Sequence, residues 1–335
     1  MQATTVTALI PTYNSELYIC QTIESVLAQA YPIHEVIVVD DGSTDRTEQV
    51  LAAYAGRIRY IRQANAGPPV ARNTGLAVAT GEWVALLDSD DLWVPNKIKL
   101  QIEYVDQHPS CSAVYSDMTT FDAGGIIEHS VKLSRNLSMP SGRIFPQLFA
   151  ETLFQTSSLM IRKSCIDQSG GFDTTLRMGD DYEFFMRMAR HYDFGYVDES
   201  LVLYRQHLNQ GTRTWGKVLQ QGEPWEFLVL RRIVDQYPEI YEELGTEHVN
   251  HRLSMPYFAL AYACLTDGDH KNARRLLRRA VRYWPDHPGY WRHYLSTFLS
   301  KGMLATIRRF FEKNRSGMAD DEIEKSKTRW HSAGT

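Results

Sequence analysis

The chain predicts an α/β fold, a mostly parallel sheet with helices on both faces, followed by an all-helical C-terminal region. Two observations carry this. Over the first hundred residues short apolar runs alternate with segments of helical spacing, the order of repeated βαβ units. Beyond about Thr212 apolar residues recur at helical intervals alone.

Val6 to Ile10 reads as a buried strand, with Pro11-Thr12-Tyr13-Asn14 as the loop after it. Glu16 to Ala30 places Leu17, Ile19, Cys20, Ile23, Val26 and Leu27 on one helical face, and Tyr31-Pro32 ends that helix. Glu35 to Val39 is a second strand running into Asp40-Asp41-Gly42-Ser43-Thr44-Asp45, where Ser43 or Thr44 suits a helix cap. Ile58 to Ile61 is a third strand, a helix follows Pro68-Pro69, and Trp83 to Leu87 is a fourth strand. After a helix from about Pro95 to Gln107 the pattern loosens. Ser112 to Tyr115 and Ser157 to Ile161 read as strands separated by a long loop, and Gly179-Asp180-Asp181-Tyr182 opens another helix.

With 335 residues, 43% of them hydrophobic, a large core is expected, in two domains or one domain with an appendage. Charge is uneven: between Lys271 and Arg315 twelve Lys or Arg face two acids, a balance of +10, so a net of −4 leaves −14 elsewhere. Such a basic end is a solvated helix face or a surface for anionic lipid. No interleaved aromatic motif of a nucleic-acid module accompanies it, so no nucleic-acid partner is expected. Cys20, Cys111, Cys165 and Cys264 lie far apart without ligand spacing and read as reduced core thiols. No leader pattern precedes the first strand and no apolar stretch reaches bilayer length, which leads to the expectation of a cytoplasmic protein, at most peripheral on the inner face of a membrane.

The polar loops after the strands carry the chemistry. Asp88-Ser89-Asp90-Asp91 brings three carboxylates to the carboxyl end of a strand, the edge where open α/β sheets bind ligands. Crowded carboxylates repel unless a proton or cation intervenes, and hard oxygen ligands suit Mg²⁺ or Mn²⁺ on a phosphate. Each loop also has a plainer reading as a turn or helix cap. Four neighbouring strand ends that all offer ligand-type groups favour a single site.

Taken in order, Pro11-Thr12-Tyr13-Asn14-x-Glu16, Asp40-Asp41-Gly42-Ser43-Thr44-Asp45, Asn65-x-Gly67 with Ala71-Arg72-Asn73-x-Gly75, and Asp88-Ser89-Asp90-Asp91 resemble the family 2 glycosyltransferases of the Rossmann-like GT-A fold. Gly170-Gly171-Phe172, Gly179-Asp180-Asp181-Tyr182-Glu183 and Tyr204-Arg205-x-His207 continue the likeness over about residues 4–210. The resemblance implies a donor site of Pro11, Thr12, Tyr13, Glu16, Asp40, Asp41, Arg72, Asp88 and Ser89. It implies a divalent metal, Mn²⁺ or Mg²⁺, at Asp88 and Asp90 with Asp90 as the direct ligand, and His207 as a further metal or phosphate contact. Asp181 matches the catalytic base, while Asp180 stands where the family often has Glu.

The implied activity is inverting, metal-dependent transfer from a nucleotide-sugar, a UDP-sugar favoured, to a glycan or lipid-linked acceptor. Domains are then expected at 1–212, at 213–315 for a helical and partly tetratricopeptide-like region, and at 316–335 for a charged tail. Tyr257, Leu260, Ala261, Gly268, Ala273, Leu277, Ala280 and Pro285 fit one such repeat, and Trp291, Gly302 and Phe311 a degraded second one with Ile at 307. Two rivals stand beside this reading. A nucleotidyltransferase would bring a Gly-rich loop with a Lys near its first strand, which Pro11 to Glu16 lacks. A non-catalytic binding module would depend on the helical repeats.

Overall fold

The computed structural model describes residues 4–208, 210, 219–220 and 222–298. The chain clusters into two compact units that divide between His207 and Leu208. The expected boundary at 212, the residues 302, 307 and 311, and the tail from 316 lie outside the described residues.

The first unit is built on a nine-stranded sheet. Strands β1 (Val6–Thr12), β2 (Glu35–Asp40), β3 (Arg59–Arg62) and β4 (Trp83–Leu86) run parallel in the order β3-β2-β1-β4. The near-continuous burial of β1, β2 and β4 explains why they read as unbroken apolar runs, whereas the edge strand β3 leaves Arg59 and Arg62 exposed. Past β4 the sheet turns mixed. It continues through β8 (Met160–Arg162), β6 (Cys111–Asp122), β9 (Asp193–Arg205) and β5 (Leu92–Trp93), with β7 (Gly125–Glu128) folded back on β6. Strand β8 is antiparallel to both β4 and β6, β6 and β9 are parallel, and β5 is antiparallel to β9.

Helices α1 (Ile19–Leu27), α2 (Thr47–Leu51), α3 (Pro68–Val78) and α4 (Lys97–Gln107) follow the expected spacing. Helix α1 buries Ile19, Ile23 and Val26. Helix α3 comes down on β1 and β2 at Gly75, where a Cβ would stand 2.1 Å from Leu9 Cδ1. A side chain at 75 would push the helix, and Arg72 with it, off the sheet. The long segment expected as loop is more ordered than its composition suggests. It contains the end of β6, β7, α5 (Val131–Ser134) and α6 (Phe145–Ala150), and is followed by α7 (Lys163–Ser169) and α8 (Asp180–His191). Strand β6 is long because β9 pairs along its length, a non-local contact that periodicity does not register.

Lys97 on α4 is fully buried, with Nζ 2.8 Å from Gln101 Oε1 and 4.3 Å from the Trp93 ring centre. Burial pushes its pKa well below the usual lysine range. Between that depressed value and the unfolded lysine value the unfolded chain binds the extra proton, so stability rises with pH by up to about 1.4 kcal/mol per pH unit. Denaturant titrations across mildly alkaline pH will show that rise in the wild type and lose it in Lys97→Met; parallel curves would refute the assignment.

The second unit opens on a two-stranded antiparallel pair, β10 (Leu219–Gln220) and β11 (Glu223–Pro224), turned at Gly222 with φ +83°. The helical reading from Thr212 onward is corrected at this point, since two-residue strands leave no periodic trace. Helices α9 (Trp225–Gln236), α10 (Ile240–Leu244), α11 (Thr246–Thr266), α12 (His270–Tyr283) and α13 (Pro288–Ser296) follow. Helices α11 and α12 pack together and bury Tyr257, Leu260, Ala261, Ala273, Leu277 and Ala280, positions of the expected repeat. Among the described residues no helix is long and apolar enough to cross a membrane.

Candidate active site

Successive strands run outward from β1 through β2 to β3, while β4 lies on β1's other side. The order reverses there and opens a crevice at the carboxyl ends of β1 and β4, the usual ligand position in a parallel sheet. Thr12 closes β1 with a buried hydroxyl that has no hydrogen-bond partner, a group suited to a ligand. Pro11 pairs opposite Val39 within the sheet. Tyr13 is 48% exposed beside it, and Asn14 takes φ +50°.

The neighbouring donor-site candidates are tied into the protein itself. Asp40 accepts the Ser43 N–H at 2.8 Å and the Tyr60 hydroxyl at 2.8 Å. Asp41 accepts Gln63 Nε2 at 2.7 Å, the Ala66 N–H at 2.9 Å and the Gly67 N–H at 2.7 Å, which orders the loop leading into α3. Glu16 accepts the Arg46 N–H and Nε, and these bonds hold its carboxyl below the usual range. Ser89 shares a 2.7 Å hydrogen bond with Ser15, which joins the β1 loop to the β4 loop.

The β4 loop meets two other elements. Arg72 on α3 donates Nη2 to Asp88 at 3.0 Å and Nη1 to Asp180 at 2.7 Å. One guanidinium therefore bridges the β4 loop and the first turn of α8. Burial would lower the Arg72 pKa, but Asp180 and Asp88 outweigh it and hold the group protonated. Its neighbour Asn73 clasps Phe172, accepting the Phe172 N–H and donating to its carbonyl, while the Arg72 guanidinium lies 5.3 Å from the Phe172 ring centre. A Cβ at Gly171 would meet Asn73 Oδ1 at 2.2 Å, so the clasp needs glycine there. The Ala71-Arg72-Asn73 and Gly170-Gly171-Phe172 motifs are thus two halves of one joint.

Asp88 has its pKa raised by burial and by the charges of Asp90 and Asp181, against the pull of Arg72. Burial pushes Asp180 to about 6 despite Arg72. Asp90 accepts from His207 Nε2 at 2.9 Å in the imidazole tautomer that carries its proton there, and the His207 ring lies 4.7 Å from that of Tyr18. Asp181 accepts the Thr156 hydroxyl at 3.1 Å and the Tyr182 N–H at 2.8 Å. The structure thus gathers Arg72, Asp88, Asp90, Asp181 and His207, and sets Pro11, Glu16, Asp40 and Asp41 in the surrounding framework.

Four participants have roles that the sequence does not reveal, although Asp180 and Arg205 lie within its motifs. Asp180 is one, since it reads as a helix cap. Ser157 donates to Asp91 at 2.6 Å and accepts the Asp88 N–H at 3.1 Å, so it pins the loop from beneath. Arg205 closes the other side, giving its N–H to Asp91 at 3.0 Å and Nε to the Asp90 carbonyl at 2.8 Å. Thr156 orients Asp181.

Proteins of similar sequence and fold place this mixed sheet, with acidic groups at its β4 edge, in one family. Residues 7–169 match the family model described as glycosyl transferase family 2. The chain is 33% identical over 226 residues to an uncharacterized glycosyltransferase of Rickettsia typhi, covering 67% of this chain and 70% of that one. It is 35% identical over 188 residues to the succinoglycan biosynthesis protein ExoO of Rhizobium meliloti, covering 53% of each. In other relatives the match takes in as little as 31% of their length. The fold resembles that of S. aureus TarS 1–349 in complex with UDP-GlcNAc, with a TM-score of 0.57 and 21% identity over 83% of this chain and 81% of that one. The chain belongs to the family 2 glycosyltransferases.

Proposed function

We propose that this protein moves a sugar from a nucleotide-sugar, a UDP-sugar in the first instance, to a hydroxyl of a glycan or lipid-linked acceptor, with inversion. The setting would be synthesis of a polysaccharide, lipopolysaccharide or other glycoconjugate. One observation carries the reading: Asp181 lies near enough to Asp88 for its charge to raise that carboxyl, and Asp90, two residues on, meets His207 at 2.9 Å. A base and a metal-type pair thus share one crevice.

Asp181 takes the proton of the acceptor hydroxyl as its oxygen bonds to the anomeric carbon, and the bond from that carbon to the diphosphate breaks. Asp180, the adjacent carboxylate, is committed to Arg72, which supports direct displacement over a covalent intermediate. Thr156 holds the base in place, and Arg72 answers charge on the departing phosphate. Asp90 and His207 suit a divalent ion, with Asp88 beside them. Among the described residues no set of three or more acidic, His or Cys side chains could hold a metal ion by itself, and the proposed ion would need further ligands from a diphosphate. When bound, Mn²⁺ or Mg²⁺ would neutralise the leaving diphosphate as a Lewis acid. Thr12 and the exposed ring of Tyr13 suit the nucleoside.

The test is nucleoside diphosphate release from a panel of nucleotide-sugars with Mn²⁺, Mg²⁺ or EDTA. Release from one donor, abolished by EDTA and cut about 100-fold or more in Asp90→Ala, is expected. Failure to bind any nucleotide, with or without metal, would sink the reading.

A further inference from the structure

Helix α12 carries Lys271, Arg274, Arg275, Arg278 and Arg279 at i, i+3, i+4, i+7 and i+8, one outward stripe lining an open hollow of about 310 Å³. The opposite face of the same helix buries Ala273, Leu276, Leu277 and Ala280, so the stripe is held rigidly on a packed element. Among the described residues one of these five cations, Arg279, has a carboxylate partner, Glu223 at 3.3 Å. Alongside runs a second stripe of a different kind. Trp291, Tyr294, Leu295 and Phe298 recur at i, i+3, i+4 and i+7 on and just past α13, and Trp291, Leu295 and Phe298 are 42%, 58% and 56% exposed.

The two stripes touch. The Arg274 guanidinium lies 3.8 Å from the Phe298 ring centre while bonding to Thr297, and Arg278 Nη2 donates to the Tyr294 hydroxyl at 3.4 Å. We propose that this paired face, basic on α12 and aromatic-aliphatic on α13, seats the protein on a membrane surface bearing anionic lipid. A soluble polyanion would satisfy the arginines but would draw no benefit from exposed Trp, Leu and Phe. An anionic bilayer satisfies both stripes, with phosphates at the guanidinium forks and the apolar side chains in the headgroup–acyl boundary. Among the described residues no helix is long and apolar enough to cross a membrane. The proposal does not depend on the transferase chemistry.

Full-length protein is to be co-sedimented with vesicles of phosphatidylcholine alone or with added phosphatidylglycerol, with inorganic polyphosphate as a soluble comparison. Binding to the anionic vesicles alone, weakened by salt, is expected. Arg275→Gln with Arg278→Gln, both exposed positions, lowers the vesicle affinity about 30-fold. Leu295→Ser with Phe298→Ser lowers it about tenfold or more and leaves polyphosphate binding unchanged. Circular dichroism confirms that both variants keep their helices. Equal binding to neutral and anionic vesicles would overturn the proposal. So would a Leu295→Ser, Phe298→Ser variant of undiminished vesicle affinity, which would mark the arginines as a site for soluble polyanions.

Discussion

Arg72→Met lowers the free energy of unfolding by about 3–5 kcal/mol, the usual cost of breaking a buried ion pair from one side. The reason is Asp180. Its side chain is 7% exposed, and without the guanidinium at 2.7 Å it stays buried beside Asp181 without its cationic partner. Asp88, more open to solvent, loses the same partner at 3.0 Å. Arg72→Lys recovers little, because one ammonium cannot span both carboxylates as a planar fork does. The double variant Arg72→Met, Asp180→Asn recovers much of the loss, since a neutral amide is cheaper to bury than an unpaired carboxylate. Urea denaturation of the four proteins measures this directly. If Arg72→Met alone unfolds within about 1 kcal/mol of the wild type, the bridge is a surface contact and contributes little.

Asp181→Asn reduces kcat by about 10²- to 10⁴-fold with donor affinity nearly unchanged. The amide keeps the hydrogen bond to the Tyr182 N–H and nearly the same shape, so the first turn of α8 survives while proton acceptance is lost. Thr156→Val produces a smaller fall, as the carboxylate remains but loses the hydroxyl that aims it. Steady-state kinetics with both substrates, alongside direct measurement of donor binding, separates these outcomes. Full turnover in Asp181→Asn would remove the base assignment and return attention to Asp180, whose carboxyl titrates near 6.

The parallel half of the sheet was legible because β1, β2 and β4 are buried on both faces and its strands are separated by helices of regular spacing. The mixed half was legible only in part: Ser112 to Tyr115 falls within β6 and Ser157 to Ile161 overlaps β8, but the extent of the strands did not show. Strand β5 has two residues, β8 has three, and most of β6 is held by pairing with β9 from far along the chain. Such strands owe their existence to partners rather than to their own pattern, so a segment that reads as loop became a hairpin and two short helices.

The site divides in the same way. Asp88, Asp90 and Asp181 stand out because carboxylates at a strand end or helix start are conspicuous in a sequence. The groups that hold them do not. Ser157 beneath the β4 loop, Thr156 against Asp181 and the Arg205 N–H on Asp91 are ordinary residues whose roles arise from meeting across the sheet. Asp40 and Asp41 illustrate the converse: conspicuous carboxylates whose oxygens are largely occupied by their own loops.

The sequence by itself determined the order of the βαβ units, the polar clusters at their strand ends and the likeness to one enzyme family. All of these are local patterns, written in spacing and residue type. Tertiary structure alone decided that one buried guanidinium joins residues 88 and 180, and that a basic stripe on α12 lies against an apolar stripe on α13. Those are contacts between distant segments, and their energies depend on burial and distance, which a linear sequence does not contain.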